Sequence, residues 1–239
     1  MTTRLTMAAV AGLCGLLLTA GCYNPPVEKL HARRAMQAGD YTTATIKLQG
    51  VVDHDPSDWE AHYLLGKAYL GQGKPIQAQS ELEQAFAVKD RSASQTPKIL
   101  DALAESLHMQ QKYDELYGFL DAQIDRYQGW EDYARKARFL AKANDIDGAA
   151  LAYRQAAYFS RNDTEDIYIE IADFYHQRGD YDKELQALKW AYYINDENEA
   201  LPNRFRQIGY VPGPTMKEQP PQPEYAGARI FDLPELIGD

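Results

Sequence analysis

Cysteine is almost missing from this chain of 239 residues. Only Cys14 and Cys22 occur, both in the N-terminal segment, and the 217 residues that follow contain none. Neither reads as part of a disulfide framework or a metal site, which need more ligands at defined spacings. Positive charge is also short: 25 Lys and Arg stand against 35 Asp and Glu, a formal net charge of −10. A nucleic-acid binder needs clustered cations to neutralise phosphates, so nucleic acid is not an expected partner. No apolar run reaches the roughly 20 residues that cross a bilayer as a helix. The longest, Leu5 to Ala20, has sixteen.

Catalytic signatures are missing as well. The histidines, His31, His54, His62, His108 and His176, have no His-Glu-x-x-His or comparable ligand spacing. No serine lies in a Gly-x-Ser-x-Gly elbow. Gly71-Gln72-Gly73-Lys74 lacks the rest of a phosphate-binding loop and follows no strand, so it reads as a turn between helices. An enzyme is not expected, and neither is a cofactor or a metal. No stretch alternates as a strand would, and glycine and proline fall mainly in turns and tails.

What is present begins at the N-terminus. Arg4 is the first and only charge before Glu28, and the apolar run after it leaves through small residues. That order reads as a signal peptide. Leu18-Thr19-Ala20-Gly21-Cys22 then resembles the bacterial lipobox, although Thr19 is a less usual residue at its place than leucine. The resemblance implies cleavage before Cys22, acylation of its thiol and amino group, and anchoring by acyl chains such as palmitate. Tyr23 follows where an aspartate would favour the inner membrane. The resemblance therefore implies an outer-membrane lipoprotein facing the periplasm. Loss of residues 1–21 removes Arg4 and takes the formal charge from −10 to −11.

The body of the chain repeats. One short element recurs five times: Gly39-Asp40-Tyr41, Gly73-Lys74-Pro75, Gln111-Lys112-Tyr113, Asn144-Asp145-Ile146 and Gly179-Asp180-Tyr181. Its third members are 34, 38, 33 and 35 residues apart. Before each turn stands a small residue in a helical pattern: Ala32, Gly66, Ala104, Ala137 or Ala172. After each comes Ala44, Ala78, Leu116, Ala149 or Glu184, and four residues later Leu48, Leu82, Leu120, Tyr153 or Leu188. Small residues let two antiparallel helices approach, and the large ones fill the groove between them. Glu184 and Gln123 stand where small apolar residues are usual.

The copy His62 to Phe86, "HYLLGKAYLGQGKPIQAQSELEQAF", resembles the tetratricopeptide repeat, with Leu65-Gly66 and Tyr69 in its first helix and Ala78, Leu82 and Ala85 in its second. The implied fold is an all-α helix-turn-helix solenoid with repeats at 25–58, 59–92, 97–130, 130–163 and 165–198 and a C-terminal capping helix near 199–210. The expected layout is a signal peptide at 1–21, a lipidated lead-in at 22–30, the solenoid with its cap at 31–210, and a Pro-rich tail at 211–239 that is extended or disordered. Six of the twelve prolines fall in that tail, and its end, "ARIFDLPELIGD", is apolar enough to dock on the solenoid or on a partner. In size and layout alone, the chain is similar to type IV pilus pilotins and to the repeat-containing subunit of the outer-membrane β-barrel assembly machinery.

In tetratricopeptide proteins the first helices line a concave face that holds a partner's peptide. Helical spacing places Lys29, Arg33, Tyr63, Lys67, Lys98, His108, Arg138, Lys142 and His176 on that side, with Asp101, Glu105 and Asp173 among them. Basic residues in line on an acidic protein would attract an acidic peptide or a terminal carboxylate. The asparagines of a carboxylate clamp have no counterparts at matching places. The expected function is a membrane-anchored adaptor for protein or peptide partners in envelope assembly. The alternative is a self-associating structural protein, and an envelope hydrolase comes third. The oligomeric state is left open.

Overall fold

A computed structural model describes residues 24–88 and 96–221, and Cys22 with the whole lipobox lies outside them. The described residues form eleven α-helices and one 3-10 turn, with no strand. They fall into two compact units that divide between Ser106 and Leu107.

The first unit holds α1 (Pro25–Gln37), α2 (Tyr41–His54), α3 (Trp59–Gly71), α4 (Pro75–Val88) and most of α5 (Thr96–Met109). Each helix packs on the next from α1 to α4, and α1 also touches α3. Start signals are local: Asn24, Asp40 and Asp58 accept hydrogen bonds from the amides of Val27, Thr43 and Ala61. The core between the hairpins is made of Ala32, Ala44, Leu48, Val51, Leu65 and Ala68.

The second unit begins in the last turn of α5 and continues through α6 (Tyr113–Tyr127), α7 (Trp130–Lys142), α8 (Ile146–Ser160), α9 (Asp166–His176), α10 (Tyr181–Ile194) and α11 (Ala200–Gln207). Sequential packing runs from α6 to α11, and α7 also meets α9. One core joins these helices, with Tyr168, Ile167, Leu188, Leu201 and Phe205 essentially without exposed surface. Tyr153 and Phe174 meet at 5.2 Å, and Tyr168 meets Trp190 edge-on at 5.6 Å.

All fifteen residues of the repeated small–small–large pattern are buried. Gly66 shows why the first position is small: a Cβ there would lie 2.6 Å from Leu82 Cγ, so α3 and α4 approach closely at that point. The recurring turn has one geometry. Its first residue is left-handed in every copy, with φ of +77° at Gly39, +69° at Gly73, +59° at Gln111, +63° at Asn144 and +71° at Gly179. The next amide reaches back to the last turn of the first helix, as in Asp40 N to Ala35 O at 2.8 Å and Lys74 N to Tyr69 O at 2.9 Å. Asp145 and Asp180 also cap their second helices, and Pro75 opens α4, where no intrahelical amide is needed.

The C-terminal end is covered twice. From α11, Leu201 and Phe205 enter the core, and Phe205 meets Tyr192 at 5.6 Å. The chain then turns through Pro214–Met216 and runs back along α10 as an extended strap. Met216 packs on the core, Lys217 pairs with Asp196 and lies over the Tyr192 ring, and Glu218 reaches Lys189.

Candidate partner-binding grooves

Each unit has an open groove between two first helices of its repeats. In the first unit, Arg33 and Met36 of α1, Tyr41 at the start of α2, and Leu64, Lys67 and Gly71 of α3 line about 460 Å³. The Tyr41 ring rests where Gly71 has no side chain, and a Cβ there would collide with it. In the second unit, Arg138 and Lys142 of α7, Tyr153 of α8, and Glu170, Asp173 and Phe174 of α9 line about 280 Å³.

The two grooves are equivalent in register. Counted from the small residue of each first helix, Arg33 and Arg138 both stand at +1 on the leading helix, and Met36 and Ala141 at +4. On the following helix, Leu64 matches Glu170 at −2 and Lys67 matches Asp173 at +1. The repeat geometry thus builds one site twice and fills it with different charges.

The family model for the tetratricopeptide repeat matches residues 35–96, covering the α1–α2 turn and the α3–α4 hairpin. Residues 35–96 thus match the tetratricopeptide repeat. No curated protein matches it in sequence. Among solved structures of tetratricopeptide (TPR) proteins it is similar to TTC0263 of Thermus thermophilus, at 17% identity and TM-score 0.48, over 77% of this chain and 98% of that one. It is similar to YrrB, described as a TPR protein with an unusual peptide-binding site, at 14% identity and TM-score 0.44, over 77% and 92%. It is also similar to residues 41-end of MamA from Desulfovibrio magneticus RS-1, at 11% identity and TM-score 0.47, over 73% and 97%. TPR repeats are protein-interaction scaffolds and generally non-enzymatic.

Four of the sequence-selected residues line these grooves: Arg33 and Lys67 in the first, Arg138 and Lys142 in the second. Tyr63 is half-buried beneath Lys67, whose ammonium lies 5.7 Å from the ring centroid. Burial pushes the Tyr63 phenol up, and Asp101 adds to the shift. Lys98 is exposed on the first turn of α5 and lines neither groove.

The others are engaged elsewhere. Lys29 bonds Asp58 and Glu60, each at 2.8 Å, tying α1 to the start of α3. Burial disfavours its charge, but those two hydrogen bonds outweigh that, and its pKa stands above the ordinary lysine value. Arg33 also pairs with Glu60, while its side chain stays 44% exposed. His108 packs against Tyr113 and Phe139 at about 6 Å. His176 Nδ1 stands 2.8 Å from the carboxylate of Glu184, and Arg138 holds both oxygens of Glu170 at 3.1 and 2.9 Å.

Sequence reasoning missed the groove residues Met36, Tyr41, Leu64, Tyr153 and Phe174. The signal for Tyr41 was present, since it is the third member of the recurring turn. Burial pushes the Tyr153 phenol far up, helped by Glu170, so it stays protonated in its groove. Among the described residues, no group of three or more His, Cys, Asp and Glu could hold a metal ion.

Proposed function

We propose that this protein is a lipid-anchored adaptor of the bacterial outer membrane that holds protein partners of cell-envelope assembly in the periplasm. The carrying observation is the pair of equivalent open grooves between first helices, each combining two cations with an aromatic or aliphatic floor. Neither lining includes a serine, threonine, cysteine or histidine, which supports capture over catalysis. Cys22, with its small-residue approach, is the proposed acylation point, and acyl chains there would confine the grooves to one membrane. Confinement raises the local concentration of partners without any added contact.

Two experiments test the two halves. Cys22→Ala should move the protein from the membrane fraction to the soluble periplasm; an unchanged membrane fraction sinks the anchor. A photo-cross-linker at Met36 or Leu64 should trap a discrete partner in intact envelopes. The comparison is the same group at Ile46, which is 70% exposed on a second helix. Equal trapping at Ile46 would show that the grooves are not the capture surface.

A further inference from the structure

The two grooves share a register but differ in charge, and that difference selects a ligand. In the second groove Arg138 and Lys142 face Glu170 and Asp173, two cations against two acids in one lining. Glu170 holds Arg138 through both oxygens, so its carboxylate already fills the place an incoming anion would take. In the first groove the equivalent positions are Leu64 and Lys67, and the lining has two cations and no acid. Glu60, the partner of Arg33, lies outside that lining and is shared with Lys29. Lys67 is exposed, and its ammonium lies over the Tyr63 ring at 5.7 Å from the centroid. Beside these cations lie Met36, Leu64 and the Tyr41 ring, an apolar floor made possible by the bare backbone of Gly71.

We infer that the first groove is the anion-reading site of the protein and that its occupant is an extended acidic peptide segment. An apolar side chain of the segment rests against Tyr41, Leu64 and Met36, and a carboxylate one or two residues away meets Lys67 and the outer edge of Arg33. The second groove, neutralised by its own acids, rejects the same segment. On a chain of net charge −10, most of the surface repels such a ligand, which makes the acid-free lining selective. This inference rests on the reading of the grooves as capture sites and adds the chemistry of what one of them captures.

The test uses the full chain in detergent micelles and three fluorescein-labelled twelve-residue peptides. One alternates Glu with Leu and Phe, one replaces every Glu with Gln, and one replaces every Glu with Lys. Fluorescence anisotropy should show the Glu peptide binding at least about tenfold more tightly than the Gln peptide, with affinity falling as salt rises. Lys67→Glu should weaken the Glu peptide about tenfold or more, while Lys142→Glu in the second groove leaves it unchanged. Circular dichroism of each variant checks that the helices persist.

If the Gln or Lys peptide binds as well and Leu64→Arg removes that binding, the groove captures peptides but does not read charge, and this inference alone falls. If no peptide binds, both the inference and the capture reading fail for this groove. If light scattering shows a dimer that Lys67→Glu dissociates, the occupant is a second copy of the chain, which overturns the peptide assignment.

Discussion

Glu184 has no exposed surface, yet it occupies a position that other repeats give to alanine or leucine. Its two carboxylate oxygens are held separately, by Arg204 of α11 at 3.0 Å and by His176 of α9 at 2.8 Å. Arg204 also pairs with exposed Asp173 at 2.7 Å. A buried carboxylate is costly once a partner is lost, whereas an apolar replacement of both sides is often neutral. Arg204→Ala should therefore lower stability by about 2–3 kcal/mol, and Asp173→Ala, which removes an exposed partner, by under about 1 kcal/mol. Glu184→Leu combined with Arg204→Ala should recover most of the loss. Urea denaturation of the four proteins checks this, and a double variant no better than Arg204→Ala would refute the account. Gln111 offers a smaller test. It is left-handed at a place where three copies have glycine, so Gln111→Gly should raise stability by about 0.5–1 kcal/mol.

Several carboxylates give a direction with pH. Hydrogen bonds from Thr43 hold Asp40 below the ordinary carboxylate range, and those from Ser57 do the same for Asp55. The ammonium of Lys217 lowers Asp196 in the same way. A depressed pKa means stability that is present above the unfolded value and lost as pH falls through the folded one. The start of α2, the turn between α2 and α3 and the strap should thus be intact at neutral pH and loosen below about pH 4. Lys217 is raised by its bond to Asp196, so the strap's pairing is also lost only in strong alkali. Amide protection factors at residues 214–221 should fall as pH drops below about 4, and unchanged protection would argue against the ion pair as the anchor.

At the scale of elements, the hairpin is where sequence and structure agree most closely. Packing chemistry repeats every 33 to 38 residues, and each copy of Gly39-Asp40-Tyr41 contains a left-handed residue, a capping or near-capping residue and a helix start. Those roles are local, so a single sequence displays them. The grooves were only half legible for the opposite reason. Arg33 and Lys67 could be assigned to one face by helical spacing, but Lys29 shares that face and is turned to Asp58 and Glu60 at the start of the next hairpin. Which cation is engaged depends on residues 27 or more positions away. The strap was hidden for the same reason, because its anchors on α10 are single long-range contacts within a Pro-rich stretch. Leu82→Ala tests the hairpin itself: the side chain is fully buried against Gly66, so the loss should be about 2–5 kcal/mol in thermal or urea unfolding. A loss below about 1 kcal/mol would mean that α3 and α4 do not meet there.

At the scale of the molecule, an array of like hairpins has no inherent length. Every hairpin leaves one apolar flank for the next, and the last one would leave that flank in water. Here the flank of α10 is occupied by Leu201 and Phe205 of α11 and then by the strap from Pro214 to Glu218. This short stretch of chain therefore acts as a terminator against polymerisation, holding the place a sixth hairpin or a neighbouring molecule would take. Deleting residues 200–239 should make the protein associate in proportion to its concentration, as sedimentation would show, while deleting 222–239 alone should not. The copy number of this protein in any complex is thus decided by whether something displaces one short helix and a strand of chain lying along its neighbour.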